Sequence, residues 1–374
     1  LFREGPPIPF LHTSAVSSAD RYTYGGGGGI AVFDADADGT LDVLMTNHLG
    51  CNALFANDGT GTFLERPISA ELSACDRQTN AVVPADLDGD GALDLLVAHQ
   101  RSATGEEHLV QAFLGRTDGT FAPPVTVPNL GRAYGLHTAD LDGDGDLDVF
   151  IVNFADGLAG VPPEDGIACN ALWLGRGDGG FDDGSAGLPA ADCEGFGMMA
   201  SVLHNDSSGL LDLYVVNDKG DFFGPDHYSR NVGGGEFEDR SVEVGFAQGG
   251  NAMGIAPSFI DERLSMFVGG GGPNRLLSLI AGSWVDVTAS LEVDLNDSTS
   301  MGWAGTWYRP DLLLWGQGNF GAGPGDDAVL KGPELYALAK GASPSSPATA
   351  RPSTIPRTPM DTWSATSTPT GART

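Results

Sequence analysis

Residues 140–153 read DLDGDGDLDVFIVN, an aspartate-rich turn that runs directly into an apolar stretch. The turn has the form D-x-D-x-D-G-x-x-D. The same form occurs at residues 34–42 (DADADGTLD) and 86–94 (DLDGDGALD). The three turns open 52 and then 54 residues apart, so a unit of about this length repeats along the chain.

Each unit combines a glycine-rich apolar strand, the aspartate turn, a strand of the L-D type, a variable loop, and a hairpin around D-G-x-F. This frame continues where the aspartates fade. Residues 211–217 (LDLYVVN) match residues 147–153 (LDVFIVN), and residues 264–268 and 311–315 occupy the same place in two later units. Four antiparallel strands per roughly 50 residues are typical of propeller blades. We therefore predict an all-β chain, a β-propeller of four-stranded blades, with six blades counted.

The beginning of the chain offers a way to close the ring. Phe10-Leu11-His12-Thr13 resembles the fourth strands at residues 63–66 and 237–240, whereas the sixth unit has a third strand at residues 335–338 and no fourth. The N-terminal strand is expected to complete the last blade. Seven blades are the alternative. Residues 1–340 are assigned to the propeller, and residues 341–374, rich in Ser, Thr and Pro, to a low-complexity tail or linker.

The aspartate turns, here loop 1 (residues 34–42), loop 2 (86–94) and loop 3 (140–148), have the composition of metal-binding loops. Side chains at positions 1, 3 and 5 converge, glycine at position 6 permits the sharp turn, position 7 offers a carbonyl, and the acid at position 9 closes the shell. The predicted ligands are Asp34, Asp36, Asp38, Thr40 and Asp42; Asp86, Asp88, Asp90, Ala92 and Asp94; and Asp140, Asp142, Asp144, Asp146 and Asp148.

Hard oxygen ligands in this number favour Ca²⁺ over Mg²⁺, which keeps its waters and demands a tighter octahedron. We expect about three ions with a structural role, because the clustered carboxylates repel one another without a cation. The alternative, a solvated acidic turn, fits one such loop better than three in register. In the fourth unit only Asp206 and Asp212 remain, which predicts weak binding at most.

These loops, each followed by L-D-h-h-h-x-N (h, apolar), resemble the FG-GAP/VCBS repeats of integrin α-subunit propellers and of proteins with an ASPIC-type C-terminus. The resemblance covers about residues 8–340. It implies an extracellular or periplasmic, calcium-stabilised propeller that serves adhesion or ligand binding. The family usually has seven blades.

The four cysteines form two equivalent pairs. Cys51 and Cys169 open the same segment of their units, C-N-A-L, and their partners Cys75 and Cys193 follow at an equal spacing of 24 residues. We predict the disulfides Cys51–Cys75 and Cys169–Cys193, which imply an oxidising compartment: the extracellular space, the cell surface or the periplasm. Four buried thiols are the alternative.

The charge balance narrows the partners. With 50 Asp and Glu against 19 Lys and Arg, the formal net charge is −31, which argues against nucleic acid and anionic membranes. Solubility or a high-salt habitat is the alternative reason for this acidity. No apolar run is long enough for a membrane span.

The long loops after each second strand lie on the face opposite the aspartate loops, and function would vary there. At their roots stand Asn47, His48, His99, Asn153 and Asn217. These groups could bind a sugar or a peptide, or the asparagines could end the strands by bonding local backbone.

The sequence favours a secreted, non-catalytic propeller that binds a protein or carbohydrate ligand. The runner-up is a carbohydrate-active enzyme of the polysaccharide lyase type, with His48, His99 and Tyr22 or Tyr134 as the candidate base and acid. A structural subunit of a surface assembly is the third hypothesis, so self-assembly stays open.

Overall fold

The computed structural model describes residues 7–12, 28–48, 50–102, 108–129, 131–154, 168–205, 208–260, 262–271, 273–290, 301–309, 312–318 and 334–339. These residues form six antiparallel sheets, five of four strands and one of three. In every sheet the strands follow one another in chain order, as hairpin-connected strands do. The prediction of an all-β fold built from four-stranded, blade-like sheets is confirmed.

The first three sheets carry the aspartate loops between their first and second strands. Sheet 1 contains β1 (Ile30–Phe33), β2 (Asp42–Met45), β3 (Ala53–Asn57) and β4 (Phe63–Arg66). Sheet 2 contains β5 (Arg77–Ala85), β6 (Asp94–Ser102), β7 (Leu109–Phe113) and β8 (Val125–Val127). Sheet 3 contains β9 (Arg132–Ala139), β10 (Asp148–Phe154), β11 (Ala171–Gly175) and β12 (Phe181–Asp183).

The remaining sheets repeat the order without the full aspartate pattern. Sheet 4 contains β13 (Phe196–Leu203), β14 (Asp212–Asp218), β15 (His227–Gly233) and β16 (Glu236–Asp239). Sheet 5 contains β17 (Ala252–Ile260), β18 (Arg263–Gly270), β19 (Arg275–Ile280) and β20 (Ser283–Asp286). Sheet 6 contains β21 (Met301–Arg309), β22 (Leu312–Gly318) and β23 (Glu334–Ala339).

The sheets face one another in chain order. The first strand of each contacts the first strand of the next, from β1 and β5 through to β17 and β21. The hydrophobic core consequently lies between consecutive sheets: Phe33, Leu54 and Val97 pack between sheets 1 and 2, and Phe150, Val152 and Leu213 between sheets 3 and 4. Because both faces of a central strand are covered, β10 and β14 are buried along their whole length.

Short helices follow the fourth strands of sheets 1 and 3. The helix α1 (Ala70–Ser73) begins after Ser69, whose Oγ accepts a hydrogen bond from the Leu72 amide. Leu72 is buried between sheets 1 and 2. Single 3₁₀ turns span Ser185–Gly187, Ala190–Cys193 and Thr288–Ser290. No helix in the described part of the chain has the length and apolar content of a membrane span.

The sequence predicts that an N-terminal strand closes the ring, but residues 7–12 do not form that strand. These residues form no strand, and sheet 6 has no fourth strand among the described residues. Phe10 instead packs edge-on against Phe55 of sheet 1, with ring centroids 6.1 Å apart, and the Leu11 carbonyl accepts from Asn47 Nδ2. Phe10 thus packs on the nearest sheet, whereas the Leu11 side chain is 77% exposed. Thr13 and residues 341–374 lie outside the described residues.

Candidate metal centres

Three groups of carboxylates converge in the loops between first and second strands. Each group offers three oxygens that all lie within 4.8 Å of one another. The groups are Asp34, Asp36 and Asp42 in loop 1; Asp86, Asp88 and Asp90 in loop 2; and Asp140, Asp142 and Asp148 in loop 3. Positions 1 and 3 take part in every loop, as the sequence predicts.

The turn that gathers these side chains depends on glycine at position 6. Gly39, Gly91 and Gly145 have φ angles of +86°, +87° and +98°, a region that side chains with a Cβ rarely adopt. The amide of each of these glycines donates a hydrogen bond to the position 1 carboxylate. The distance is 2.9 Å from Gly39 to Asp34, and it is 3.1 Å in each of the other two loops. The backbone thereby wraps around the first aspartate.

The acid at position 9 has a second task that the sequence did not indicate. Asp42, Asp94 and Asp148 are buried, and each accepts at least two backbone hydrogen bonds. One donor is the position 2 amide of the same loop, and the other is the amide at or just after the end of the third strand. For Asp148 these donors are Leu141 at 2.7 Å and Gly175 at 2.8 Å. The position 9 acid therefore ties each loop to the third strand of its own sheet.

Position 9 also takes part in the carboxylate groups of loops 1 and 3, whereas in loop 2 the position 5 residue Asp90 stands there in place of Asp94. In all three loops the position 5 acid accepts a hydrogen bond from the position 7 amide; in loop 2 the Ala92 amide donates to Asp90 at 2.7 Å. In loop 1 both the amide and the hydroxyl of Thr40 donate to Asp38 at 2.7 Å, and in loop 3 the Asp146 amide donates to Asp144 at 2.8 Å.

The electrostatics of the loops favour a bound cation. Burial raises the pKa of Asp142, and the nearby carboxylates of Asp144 and Asp140 raise it further. Burial also raises the pKa of Asp94 and of Asp148 to about 6. Crowded carboxylates without a counter-charge hold protons more tightly, so a divalent cation would stabilise the ionised loops.

The donor set fits calcium. Every side-chain ligand in the three groups is a carboxylate oxygen, which hard cations prefer. Oδ1 of Asp36 and Oδ1 of Asp86 are buried and accept no hydrogen bond from the described residues. Buried acceptors are normally satisfied, and a cation would satisfy both. The structure thus contains three aspartate groups of the kind expected for calcium loops.

In the fourth unit the place of the metal loop is taken by hydrogen bonds. Asp206 lies outside the described residues. Asp212 is buried and accepts from the Asn231 amide at 2.8 Å and from the Tyr228 hydroxyl at 2.9 Å. It therefore ties the loop region to the third strand, like the other position 9 acids. Asp212 belongs to no carboxylate group among the described residues.

Both predicted disulfides are present in the structure. They join Cys51 to Cys75 and Cys169 to Cys193. Each connects a residue two positions before the third strand to the end of the helical segment after the fourth strand or the turn that follows it, so the two bridges occupy equivalent places in sheets 1 and 3.

The asparagines at the roots of the long loops bond backbone groups. Asn153 Nδ2 donates to the Cys169 carbonyl at 2.8 Å, and Asn217 Nδ2 donates to the Pro225 carbonyl at 2.7 Å. Asn47 Nδ2 reaches the Leu11 carbonyl at 3.1 Å. All three asparagines are buried. Asn153 and Asn217 connect their strand ends to the adjoining loops, and Asn47 connects sheet 1 to the N-terminal segment.

The two candidate histidines are buried in hydrogen-bond networks. His48 Nε2 lies 2.7 Å from Asn80 Oδ1, and His99 Nδ1 lies 2.9 Å from Thr79 Oγ1. Burial lowers the pKa of His48, and it lowers the pKa of His99 to about 4. Tyr134, the candidate acid, packs against Phe154, with ring centroids 5.1 Å apart. Tyr22 lies outside the described residues.

A polar residue at the entrance to the third strand was missed at the sequence level. Asn52, Asn170 and Asp226 each accept a hydrogen bond of 2.9 Å from the amide of the asparagine near the end of the second strand. The repeated C-N-A-L segment contains two of these residues and could have revealed them. Asn170 further donates to Asp192, which also contacts His227, so this network joins sheets 3 and 4.

The repeats match a known family model. The FG-GAP-like repeat model matches residues 34–97 and 101–151, which include all three loops. The chain therefore contains FG-GAP-like repeats.

The chain is distantly similar to cartilage acidic protein 1. It is 27% identical to the protein from Homo sapiens over 204 residues, which cover 54% of this chain and 29% of the relative. For the protein from Xenopus tropicalis the identity is 25% over 268 residues, covering 66% of this chain and 41% of the relative. The matched region spans less than half the length of these relatives.

Among solved structures, the soluble aldose sugar dehydrogenase from Escherichia coli in its apo form aligns with a TM-score of 0.44 and 12% identity. The alignment covers 78% of this chain and 93% of that chain.

Proposed function

We propose that this chain is a calcium-stabilised β-propeller of the extracellular space, the cell surface or the periplasm that acts as a non-catalytic adhesion or ligand-binding module. Its sheets are the blades of the propeller. The sequence repeats give six blades, and the family that the sequence resembles usually has seven. The bound ligand is a protein or a carbohydrate. The observation that carries the proposal is the set of three aspartate groups, one in each of sheets 1–3.

The role proposed for calcium is structural. Bound calcium would supply charge neutralisation and a fixed point on which the loop closes. In each loop the position 9 carboxylate already bonds the third strand, as Asp94 does with the Gly115 amide at 2.6 Å. Ordering the loop therefore also orders the junction of three strands, which supports a stabilising role for the metal.

The compartment follows from the disulfides. Disulfides persist in oxidising environments and are rare in the cytosol. The two bridges hold the ends of loops in sheets 1 and 3, and both lie within or beside the repeats that carry metal loops. Calcium at millimolar concentration outside cells would suit extracellular loops of this type.

The binding face is proposed to be the one formed by the long loops. A cleft of about 200 Å³ opens there beside sheet 5, lined by Asp221, Asn251, Pro273, Arg275 and four glycines. Next to Asp221 in sequence, Phe222 is 81% exposed. A cleft with convergent polar groups beside an exposed aromatic ring suits a sugar or a short peptide segment. The buried state of His48 and His99 supports binding without catalysis.

Calcium titration of the full chain after chelation tests the metal part of the proposal. We expect about three ions bound, with magnesium competing poorly. Changing Asp36, Asp88 and Asp142 together to Asn should abolish most of the binding. The matched control changes Asp58, Asp118 and Asp178 to Asn, since these hairpin-turn acids belong to none of the groups. Equal losses in the two triple variants would contradict the proposal.

Screening on glycan arrays and on immobilised extracellular proteins tests the ligand part. We expect calcium-dependent binding that Phe222→Ala weakens and that Leu64→Ala leaves unchanged, Leu64 being a similarly exposed residue of β4. Product analysis of any bound polysaccharide is expected to find intact chains. Cleaved chains, or binding that survives full removal of calcium, would overturn the proposal.

A further inference from the structure

One cationic side chain reaches into a metal loop. Arg66, the last residue of β4, donates from Nη1 to Oδ2 of Asp36 at 2.7 Å. Its Nη2 donates to the carbonyl of Asp118, in the β7–β8 turn of sheet 2. Both side chains of the ion pair are about one quarter exposed, so the pair is only partly screened by water.

The neighbouring turn leaves room for this guanidinium. Gly119 has a φ of +75°, and a Cβ at that residue would fall within 2.6 Å of the Arg66 guanidinium. A side chain at residue 119 would displace the arginine. The arrangement therefore depends on two sheets, with the cation supplied by sheet 1 and the space supplied by sheet 2.

The equivalent positions in sheets 2 and 3 carry no cation. Arg66 pairs with Leu54 across β3 and β4. In the same register of sheet 2, Ala112 pairs with Val125. In sheet 3, Leu172 bonds the Gly184 amide. Val125 and Gly184 are uncharged, so loop 1 is set apart from the other two loops by its arginine.

Loops 2 and 3 orient their position 3 acids with neutral donors. Asp88 Oδ1 accepts from the Asp90 amide at 3.2 Å, and Asp142 Oδ1 accepts from the Asp144 amide at 3.0 Å. Asp36 is oriented by the arginine. In loops 2 and 3 neutral donors are therefore sufficient to orient the position 3 carboxylate, whereas in loop 1 a positively charged side chain orients it.

The charges of the loops form a series. Loop 1 has four aspartates and the arginine, loop 2 has four aspartates, and loop 3 has five because Asp146 stands at position 7. The attraction of a divalent cation rises with the negative charge close to it, whether or not each carboxylate is a ligand. The formal charges are therefore −3, −4 and −5 in chain order.

We infer that Arg66 is a specificity-determining residue that makes loop 1 the weakest of the three calcium sites, and that it ties loop 1 to sheet 2 when calcium is scarce. This inference rests on the proposed calcium function. Loop 3 fills first, loop 2 next and loop 1 last. At intermediate calcium concentrations, before loop 1 is filled, the Arg66 guanidinium neutralises Asp36 in place of the ion. Its hydrogen bond to Asp118 then holds sheet 1 against sheet 2.

Hydrogen exchange of the full chain across a calcium titration resolves the three loops. We expect protection midpoints to rise in the order loop 3, loop 2, loop 1. In Arg66→Met the loop 1 midpoint should fall about tenfold, which is the effect of removing a unit charge roughly 6 Å from a divalent ion in a water-like dielectric. Arg66→Lys should stay within about threefold of the wild type, because the charge is retained.

Arg176→Met is the matched control, since Arg176 pairs with Asp182 and contacts none of the carboxylate groups. It should leave the loop 1 midpoint unchanged. A loop 1 that does not fill last, or an Arg66→Met midpoint that is unchanged or higher, overturns the inference while the calcium function stands. If no loop responds to calcium, both fail. The filling order is measured in the wild type and tests the inference even if the variant does not fold.

Discussion

Sheets 1–3 and sheets 4–5 repeat one architecture but stabilise the same corner differently. In sheets 1–3 the turn between the first two strands is an acidic loop whose position 9 carboxylate accepts two backbone amides, as Asp94 does. In sheet 4 the equivalent acid, Asp212, accepts hydrogen bonds from the Asn231 amide and from the hydroxyl of Tyr228. A buried tyrosine side chain thus bonds the acid at this corner of sheet 4.

Sheet 5 goes one step further. By register, Ser265 of β18 stands where the acids stand in the other sheets, and its hydroxyl lies 2.8 Å from that of Ser278. The turn before it shrinks to a tight hairpin in which Ile260 pairs with Arg263. Glu262 of this turn belongs to no carboxylate group among the described residues.

The hydrophobic cores of the two regions also differ in composition. Between sheets 4 and 5 a cluster of large rings is packed around Tyr214, which stacks on Tyr228 at 4.7 Å and meets Trp284 edge-on at 5.5 Å. Aromatic pairs of this kind contribute beyond the apolar area that they bury. Between sheets 2 and 3 the core is mostly aliphatic. Sheets 4 and 5 therefore rely on side-chain packing where sheets 1–3 rely on charged loops.

The two regions are joined at loop 3. Asn231 of sheet 4 donates from Nδ2 to the Leu141 carbonyl at 2.7 Å, and the Gly234 amide donates to the Asp142 carbonyl at 3.2 Å. The hairpin of a sheet without a metal loop thus rests on the backbone of a metal loop in the preceding sheet.

Removal of calcium should give the largest contrast between the regions. With calcium a hundredfold above each dissociation constant, each site would contribute about 2.7 kcal/mol to the free energy of unfolding. We expect chelation to lower the thermal midpoint by many degrees. Exchange protection should be lost in sheets 1–3 and at the hairpin around Gly234, while β18 and β19 stay protected. An unchanged midpoint, or uniform loss of protection, would contradict this.

Truncation of the aromatic cluster should destabilise sheets 4 and 5. Trp284→Ala removes a buried ring and should lower the free energy of unfolding by about 3–5 kcal/mol. Because the ring contacts no metal loop, the loss should be the same with and without calcium. Urea unfolding in both conditions measures it. The adjacent Val285→Ala is the control, since Val285 is partly exposed and should change stability by less than about 0.5 kcal/mol.

Removal of the Tyr228 hydroxyl should have a smaller effect. Tyr228→Phe leaves one oxygen of the buried Asp212 without this donor, at a cost of about 1–3 kcal/mol. A double-mutant cycle with Asp212→Asn should show coupling between the two residues in urea unfolding. Purely additive losses would show that the Tyr228 hydroxyl does not stabilise Asp212.

The smallest effect is expected from pH at the contact between sheets 3 and 4. Burial opposes the charged form of His227, but the Asp192 carboxylate, 3.1 Å from Nε2, outweighs it and raises the His227 pKa above 6.5. The stabilisation is complete below pH 6.5 and is lost as the pH rises through the folded-state pKa.

This pH effect is measured by comparing urea midpoints of the wild type and His227→Gln from pH 6 to pH 9 in saturating calcium. The difference between the two proteins should narrow as the pH rises. Asp226, whose pKa burial raises to about 7, titrates in the same range and is coupled to His227, which lowers that pKa. Both proteins therefore carry Asp226→Asn, which removes this titration from the comparison. A difference that widens with pH would show that His227 is stabilised in its neutral form.

Much of the fold could be predicted because its signals are local. The period of the aspartate loops gives the sheet length, and the hairpin turns and L-D strands lie where the structure has them. Both disulfides follow from equal spacing at equal places in the repeat. Closure by residues 10–13 was the prediction that failed for the described residues, since a short apolar segment can pack on any nearby uncovered sheet.

The sequence by itself determined the three carboxylate groups, because their ligands lie within nine residues of one another and one glycine turn brings them together. Only the tertiary structure decided what surrounds them. Arg66 meets Asp36 from 30 residues away and Asp118 from 52, and Tyr228 meets Asp212 across a strand pair. These contacts depend on the register within a sheet and on the packing of one sheet against the next. Neither is encoded in the residues of a single loop.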